Sequence, residues 1–321
     1  GSHLDLFHDT DQSADAIARF ANEENAAGYR RFCRDGALIH GLLKDNFMST
    51  TQPSPITLGY RLIRDGGINA LSVAPHRSLW SALGKYFSDP RLRQLYGRYA
   101  TYVGSSPLLT PSTLMLIAHV ERDGVWCVDG GMRALALAMA ELAQEHGGRF
   151  HYDSPVQRID CVNGRATGIT LASGETHSAD VVVFNGDTAA LSDGLLGADV
   201  STSVPVRPRH QRGLSAITWC INAETSGFEL DHHNVFFAQN YAQEFSTIFD
   251  NRGICNEPTV YVCAQDRING APLKAGTERL LLLVNAPADG DHKAWTRNKL
   301  DEQREHALSV VNRGGANITF S

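Results

Sequence analysis

The chain has 321 residues, 42% of them hydrophobic and 20% charged, so it can bury a sizeable core and hold two domains. Its formal net charge of -6 argues against general nucleic-acid binding, which needs clustered Lys and Arg to meet phosphates. No apolar run approaches the roughly 20 residues that span a bilayer, and the acidic N-terminus lacks the basic-then-apolar order of a signal peptide, so none is expected.

In chain order, residues 13–43 read as helix, with apolar side chains recurring at Ala16, Ile17, Phe20, Ala21, Ala27, Tyr29, Phe32 and Cys33. Asp11 or Ser13 is the expected N-cap. A polar, proline-bearing break follows at 50–55, then a mixed segment at 56–71. Residues 79–87 are amphipathic, and Asp89-Pro90 opens a further helix over 91–102 with proline in its first turn. A short apolar helix is predicted over 112–120.

From residue 124 the order becomes more regular. A strand at 125–128 leads to the turn Asp129-Gly130-Gly131, and an amphipathic helix over 132–146 ends at Gly147-Gly148. Strands are predicted at 149–152, 156–162, 165–171 and 175–178, with Asn163-Gly164 as a type I′ hairpin signal. Residues 179–185 (ADVVVFN) are nearly all apolar and predict a buried strand of the kind parallel sheets use. Residues 188–196 read as helix or turn. Further strands are expected at 215–223, 233–237, 259–264 and 279–285, and helices at 241–249 and 296–311.

The six cysteines include no CxxC pair, and Cys127, Cys220 and Cys263 sit in apolar, strand-like text. That pattern predicts reduced, buried thiols in a cytoplasmic protein. No metal constellation stands out: His232 and His233 are adjacent, and neighbouring side chains on a strand point to opposite faces, so they are not expected to share an ion. A nucleophile elbow, a Walker loop and HExxH are all missing from the text. The GxGxxG fingerprint is absent too: Asp129-Gly130-Gly131-Met132 has the strand–turn–helix context with only two glycines.

The order over 125–191 nevertheless resembles the FAD-dependent amine oxidase and phytoene-desaturase superfamily. The matching text is Gly130-Gly131-Met132, Leu135 and Ala138, then Pro155-Val156-Gln157-Arg158-Ile159. It continues through Gly164, Gly168-Ile169, Leu171, Gly174, Ala179-Asp180, Val182-Val183, Asn185 and Asp187. The flanks are similar to the carotenoid desaturases: Arg98-Tyr99-Ala100-Thr101-Tyr102-Val103-Gly104, His233-Asn234-Val235-Phe236-Phe237 with Tyr241, and Pro258-Thr259-Val260-Tyr261 onward. Within them the hydroxyneurosporene and methoxyneurosporene (1-hydroxycarotenoid 3,4-) desaturases are the branch resembled.

The resemblance implies an enzyme with FAD as cofactor, an acyclic carotenoid as substrate and quinone or oxygen as electron acceptor. It implies hydride abstraction at an allylic carbon with loss of a proton from the neighbouring one, and it places the redox chemistry on the flavin. It maps backbone contact with the adenine onto Val156, close approach to the cofactor onto Gly130 and Gly131, and proximity to it onto Asn185, Gly186 and Asp187. Asp266 and Arg267, a charged pair directly after an apolar strand, are candidate proton-handling residues or else a solvated turn. Leu95, Tyr99, Tyr102, Leu114, Leu116, Phe236 and Phe237 are expected either in the core or along an apolar tunnel. The helices of 79–120 are expected to face either the core or, peripherally, a membrane surface.

The implied fold class is α/β with α+β mixing: a partial Rossmann-like FAD lobe and a mixed-sheet substrate domain with helices. Residues 1–123 and 204–321 are expected to build the substrate domain, and 124–203 the return segment of the FAD domain. The family's N-terminal GxGxxG segment and its glycine-rich C-terminal flavin segment are not in this text, so the chain reads as an interior piece that alone binds FAD weakly or not at all. A non-catalytic carotenoid- or lipid-binding module and another amine-oxidase-type FAD enzyme are the alternatives.

Overall fold

The computed structural model describes residues 2–49, 51, 64, 76–267, 276–292 and 295–320. The chain divides into two compact units, one of Gly1–Trp126 with Gly213–Ser321 and one of Cys127–Arg212.

The larger unit begins with helices. α1 (Thr10–Phe20) is capped by Asp9, whose carboxylate accepts the backbone N–H groups of Asp11 and Gln12 at 2.9 and 2.8 Å. Ser13, a cap candidate from the sequence, is instead buried and bonds the backbone of Phe7. The single helix expected over 13–43 breaks at Ala21-Asn22, where the extended Asn22 (φ -175°) accepts the Asn25 N–H and starts α2 (Glu23–Leu43). A side-chain cap competes well with continuing a helix at an Asn, which explains the break. The expected break at 50–55 and mixed segment at 56–71 lie outside the described residues apart from 51 and 64.

Ser78 caps α3 (Leu79–Leu83), which stops at Gly84 rather than reaching residue 87. Asp89 caps α4 (Pro90–Gly97), with proline in the first turn as the sequence predicts. The chain then tightens into a 3₁₀ helix over Arg98–Val103, closed by Gly104 at φ 66°. A second 3₁₀ turn, Ser112–Met115, leads into α5 (Leu116–Asp123). These pieces close around an aromatic core in which the Tyr96 ring lies 4.7 Å from Phe32 and is stacked 5.0 Å from Phe87. Buried Asn25 ties α2 to the turn before α4, accepting the N–H groups of Ser88 and Asp89 at 3.0 and 3.2 Å. Gly28 is required by packing, because a Cβ there would lie 1.8 Å from the Tyr86 carbonyl oxygen.

The smaller unit holds α6 (Gly131–Glu145), β1 (Val156–Val162), β2 (Arg165–Leu171) and β3 (Thr176–Ser178), followed by two single-turn helices, α7 (Thr188–Ser192) and α8 (Ala198–Ser201). The three strands form one antiparallel sheet in sequence order. Asn163 (φ 51°) and Gly164 (φ 76°) make the left-handed pair that a type I′ turn needs. Ile159, Leu191 and Val200 form a small core.

Three predicted strands here are corrected. Residues 125–128 and 149–152 have no strand pairing, and 179–185 runs without strand partners, leaving Val181 74% and Val183 85% exposed. An apolar run reports a preference for burial, but a strand exists only where another strand offers its edge. Among the described residues nothing offers one to 179–185.

The rest of the larger unit is a five-stranded antiparallel sheet with two helices. Its elements are β4 (Leu214–Gly227), β5 (His233–Phe236), α9 (Tyr241–Phe249), β6 (Val260–Ala264), β7 (Glu278–Pro287), α10 (Arg297–Arg313) and β8 (Ala316–Phe320), with strand order β5-β6-β7-β4-β8. One face, carrying Val260, Val262, Leu280, Leu282 and Val284, packs on Ala307, Leu308 and Val311 of α10. β8, which the sequence reading did not anticipate, adds to the edge of β4 after the Gly314-Gly315 turn. The other face carries His233, Tyr261, Cys263, Leu281 and Leu283, as the register of β5, β6 and β7 requires. The side chain of Gln94 on α4 donates to the Ala238 carbonyl at 2.8 Å, joining helices and sheet within this unit.

Candidate functional site

The residues to which the resemblance gives cofactor contact all lie in the smaller unit. Gly130 (φ 81°) and Gly131 (φ 76°) form the turn that starts α6, with the Gly131 N–H bonded to the Val128 carbonyl at 2.8 Å. A Cβ on Gly131 would meet nothing within 4 Å, so its backbone angle and not its surroundings calls for glycine there. Val156 opens β1 opposite Leu171 and is 39% exposed. Asp187 caps α7 by accepting the Ala189 N–H at 2.9 Å, and Asn185 and Gly186 precede it in an exposed turn.

Two of these pieces flank one small core. The Ile159 N–H of β1 donates to Leu196 at 3.0 Å, so the strand of Val156 and the segment after Asp187 meet around Ile159, Leu191 and Val200. The Gly130-Gly131 turn contributes nothing to that core, and no residue of α6 is buried. As a set for holding FAD the six are partial. They offer backbone N–H groups and an acidic cap, but no cationic side chain to balance a pyrophosphate, and all six are exposed.

Asp266 and Arg267 lie in the larger unit, in the turn after β6. Arg267 reaches the Glu278 carboxylate with Nε at 2.8 Å and Nη2 at 2.7 Å, and donates to the Leu230 carbonyl at 2.6 Å. Asp266 accepts the backbone N–H of Arg279 at 2.8 Å and its Nε at 2.9 Å. Both side chains therefore tie β6 to the start of β7.

Of the residues expected either in the core or along a tunnel, Leu95, Leu114 and Leu116 pack against the helical core, and Phe236 packs on the α10 side of the sheet. Tyr99 is buried, Tyr102 is half exposed, and the Phe237 ring meets Tyr241 edge-on at 6.2 Å.

A polar and aromatic cluster in the same unit escaped the sequence reading. Glu121 accepts the hydroxyls of Tyr99 and Tyr102 at 2.7 and 2.6 Å. The Arg98 guanidinium lies 5.5 Å from the Tyr102 ring centre and 5.6 Å from that of Tyr261. Tyr261 meets His233 Nδ1 through its hydroxyl at 2.7 Å. Burial, with Glu121 alongside, pushes the Tyr99 hydroxyl well above its ordinary value. Burial, His232 and Arg98 together lower the pKa of His233 and favour its neutral ring. The members come from three stretches far apart in sequence, so no spacing reports the cluster.

The expectation that His232 and His233 face apart is also corrected: their ring centres lie 4.4 Å apart. β5 begins only at His233, so strand alternation does not govern His232. The preceding bend is fixed by Asn234, which accepts the Asp231 N–H at 2.9 Å and donates to the Asp231 carbonyl at 2.6 Å.

All six cysteines are free thiols, but only Cys33 and Cys263 are buried; Cys127 and Cys220 are exposed, which corrects the burial expected from their apolar neighbours. No helix among the described residues is long and apolar enough to cross a membrane.

Compared with known proteins, residues 33–301 match the family described as FAD dependent oxidoreductase. The chain is 42% identical over 318 residues to a hydroxyneurosporene desaturase of Rubrivivax gelatinosus, covering 99% of this chain and 61% of that protein. It is 42% identical over 291 residues to a hydroxyneurosporene desaturase of Cereibacter sphaeroides, covering 89% and 57%. A 1-hydroxycarotenoid 3,4-desaturase of a Flavobacterium species is 34% identical over 230 residues, covering 71% and 46%. The chain thus spans about three fifths of the length of the two hydroxyneurosporene desaturases.

Proposed function

The chain belongs to the FAD-dependent oxidoreductase family, and on that footing we propose that it is part of a flavin-dependent desaturase of acyclic carotenoids. The reaction removes two hydrogens across one carbon–carbon bond and lengthens the conjugated system. The proposed substrate is a 1-hydroxy or 1-methoxy carotenoid, desaturated at carbons 3 and 4, with quinone or oxygen as the final acceptor. The observation that carries this reading is the 42% identity to a hydroxyneurosporene desaturase over 99% of the chain.

Within that enzyme, residues 124–203 are proposed to return to the FAD-binding domain, and 1–123 with 204–321 to form the substrate domain. Val156, Gly130, Gly131, Asn185, Gly186 and Asp187 would line one side of the flavin site, held by the β1 hairpin and the cap of α7. Because these six are exposed and none is cationic, the chain by itself is proposed to hold FAD weakly. Asp266 and Arg267 are proposed as proton-handling candidates with a solvated turn as the alternative; their ion pairs to Arg279 and Glu278 engage both side chains, and the 12% exposure of Arg267 fits a solvated turn poorly. Peripheral membrane contact through the 79–120 region is supported by exposed Val103, Leu108, Leu109 and Val120, apolar side chains of the kind that enter a membrane interface.

The test is made in bacteria that accumulate an acyclic 1-hydroxy carotenoid. Expression of the whole enzyme of which this chain is proposed to be part is expected to yield products two hydrogens lighter and absorbing at longer wavelength, and this chain alone to leave the carotenoids unchanged. A flavoprotein that leaves the carotenoids unchanged and oxidises amines would place it with the amine oxidases instead. Carotenoid bound without flavin or turnover would favour a binding module.

A further inference from the structure

The geometry assigns a transition-metal site to His232, His233 and Cys263, on the sheet face turned away from α10. One donor atom from each lies within 4.8 Å of the others. Cys263 Sγ and His232 Nε2 are 3.9 Å apart. A tetrahedral zinc ion, with bonds of about 2.0 Å to nitrogen and about 2.3 Å to sulfur, holds such a pair roughly 3.5 Å apart. The pair therefore closes by a few tenths of an ångström on binding, and the exposed ring of His233 has room to swing in.

The protein has already arranged the groups behind these donors. His232 Nδ1 lies 3.0 Å from the Ala264 carbonyl. A carbonyl only accepts, so Nδ1 carries the proton and the Nε2 lone pair is left facing the cysteine sulfur. That is the tautomer a metal requires, oriented by the kind of outer partner that metal-ligating histidines have. The Tyr261 hydroxyl, 2.7 Å from Nδ1, is the outer partner that holds the His233 ring. The register of β5 on β6 pairs His233 with Cys263, so both side chains leave the sheet on one face. The Asp231–Asn234 bend folds His232 back over them.

Two imidazoles and a thiol select a borderline or soft ion, zinc(II) or cobalt(II), over calcium or magnesium, which take oxygen ligands. With three protein ligands, the fourth position stays open to water or another ligand. Arg98, beside Tyr261, opposes a cation here, and the Cys263 thiolate formed on binding offsets it. The site is independent of the desaturase reading.

The test uses the full chain, reduced and stripped of metal, titrated with cobalt(II) and then with zinc(II) against a chromophoric chelator. One site per chain is expected, with a thiolate-to-cobalt charge-transfer band in the near ultraviolet that zinc abolishes. Cys263→Ser is expected to remove the band, and His233→Gln to weaken binding by about tenfold or more, both with unchanged circular dichroism. The ring pairs His40–His119 and His151–His177 contain no sulfur, so any metal they take gives no thiolate band. Cobalt binding without that band, or a band that persists in Cys263→Ser, overturns the assignment. Should Cys263→Ser misfold, His233→Gln at its exposed position decides alone: an unchanged affinity overturns the site.

Discussion

Arg267 and Glu278 form a two-pronged ion pair across the open ends of β6 and β7, with Nε–Oε2 at 2.8 Å and Nη2–Oε1 at 2.7 Å. The two side chains are 12% and 3% exposed, and Thr225 also bonds the Glu278 carboxylate. Burial alone would raise the Glu278 carboxyl, but the hydrogen bonds from Arg267 and Thr225 outweigh it and hold it below the usual range.

Removing one member of so buried a pair strands the other. Glu278→Ala is expected to cost about 3–5 kcal/mol of stability, and the double variant with Arg267→Ala less than the sum of the two single changes. Because the folded carboxyl is more acidic than the unfolded one, its contribution is fully present above the unfolded value near 4.3 and is lost as pH falls through the folded one. Urea midpoints of wild type and Glu278→Gln measured down through that range should converge; a constant gap would show that the charge is not what stabilises.

Glu244 is the opposite case. It is fully buried on α9, where it accepts Thr259 Oγ1 at 2.6 Å and Asn285 Nδ2 at 3.2 Å. Burial raises its carboxyl despite those two bonds. The proton is thus held more tightly in the folded state, so stability from this group is full below the unfolded value and lost as pH rises through the folded one. Glu244→Gln should be no less stable than wild type at neutral pH, with the difference vanishing in acid. Glu244→Ala, which leaves the buried Thr259 hydroxyl and the half-buried Asn285 amide without this partner, should cost about 2 kcal/mol or more. Thermal melts across pH 4 to 8 would read both.

The helical core rests on Phe32, fully buried among Tyr86, Phe87 and Tyr96. Phe32→Ala is expected to lose about 3–5 kcal/mol. Gly28→Ala should also destabilise, by forcing α2 away from the Tyr86 carbonyl. If Gly28→Ala unfolds at the wild-type denaturant concentration, the close approach at that glycine is not real.

In the smaller unit, α6 leaves Met132, Leu135, Leu137, Met139 and Leu142 exposed. The chain should therefore bind a hydrophobic dye strongly. Met132→Gln with Met139→Gln should cut the fluorescence substantially while leaving helix content unchanged; undiminished fluorescence would mean the dye binds elsewhere.

Much of the fold is legible in the sequence because the deciding interactions are local. The Asn163-Gly164 turn, the Asp89-Pro90 helix start and the apolar run of β7 each act within a few residues, through backbone angles or side-chain type. The same holds for the glycine turns and the PV and NGD text, whose order alone carries the family resemblance later supported by the match over 33–301.

What the amino-acid sequence by itself determined is the family and the presence of most elements, while several ends differ, as at Ala21-Asn22 and Gly84. The tertiary structure alone decided which apolar segments find a partner. ADVVVFN is as apolar as β7 yet forms no strand: β7 lies between β6 and β4, while among the described residues no strand pairs along 179–185. It alone also decided that Arg267 is spent on Glu278, that Glu121 gathers two tyrosines, and that His232 turns back onto Cys263. These contacts join residues from 11 to 31 positions apart, and only strand register and chain reversal bring such groups within bonding distance.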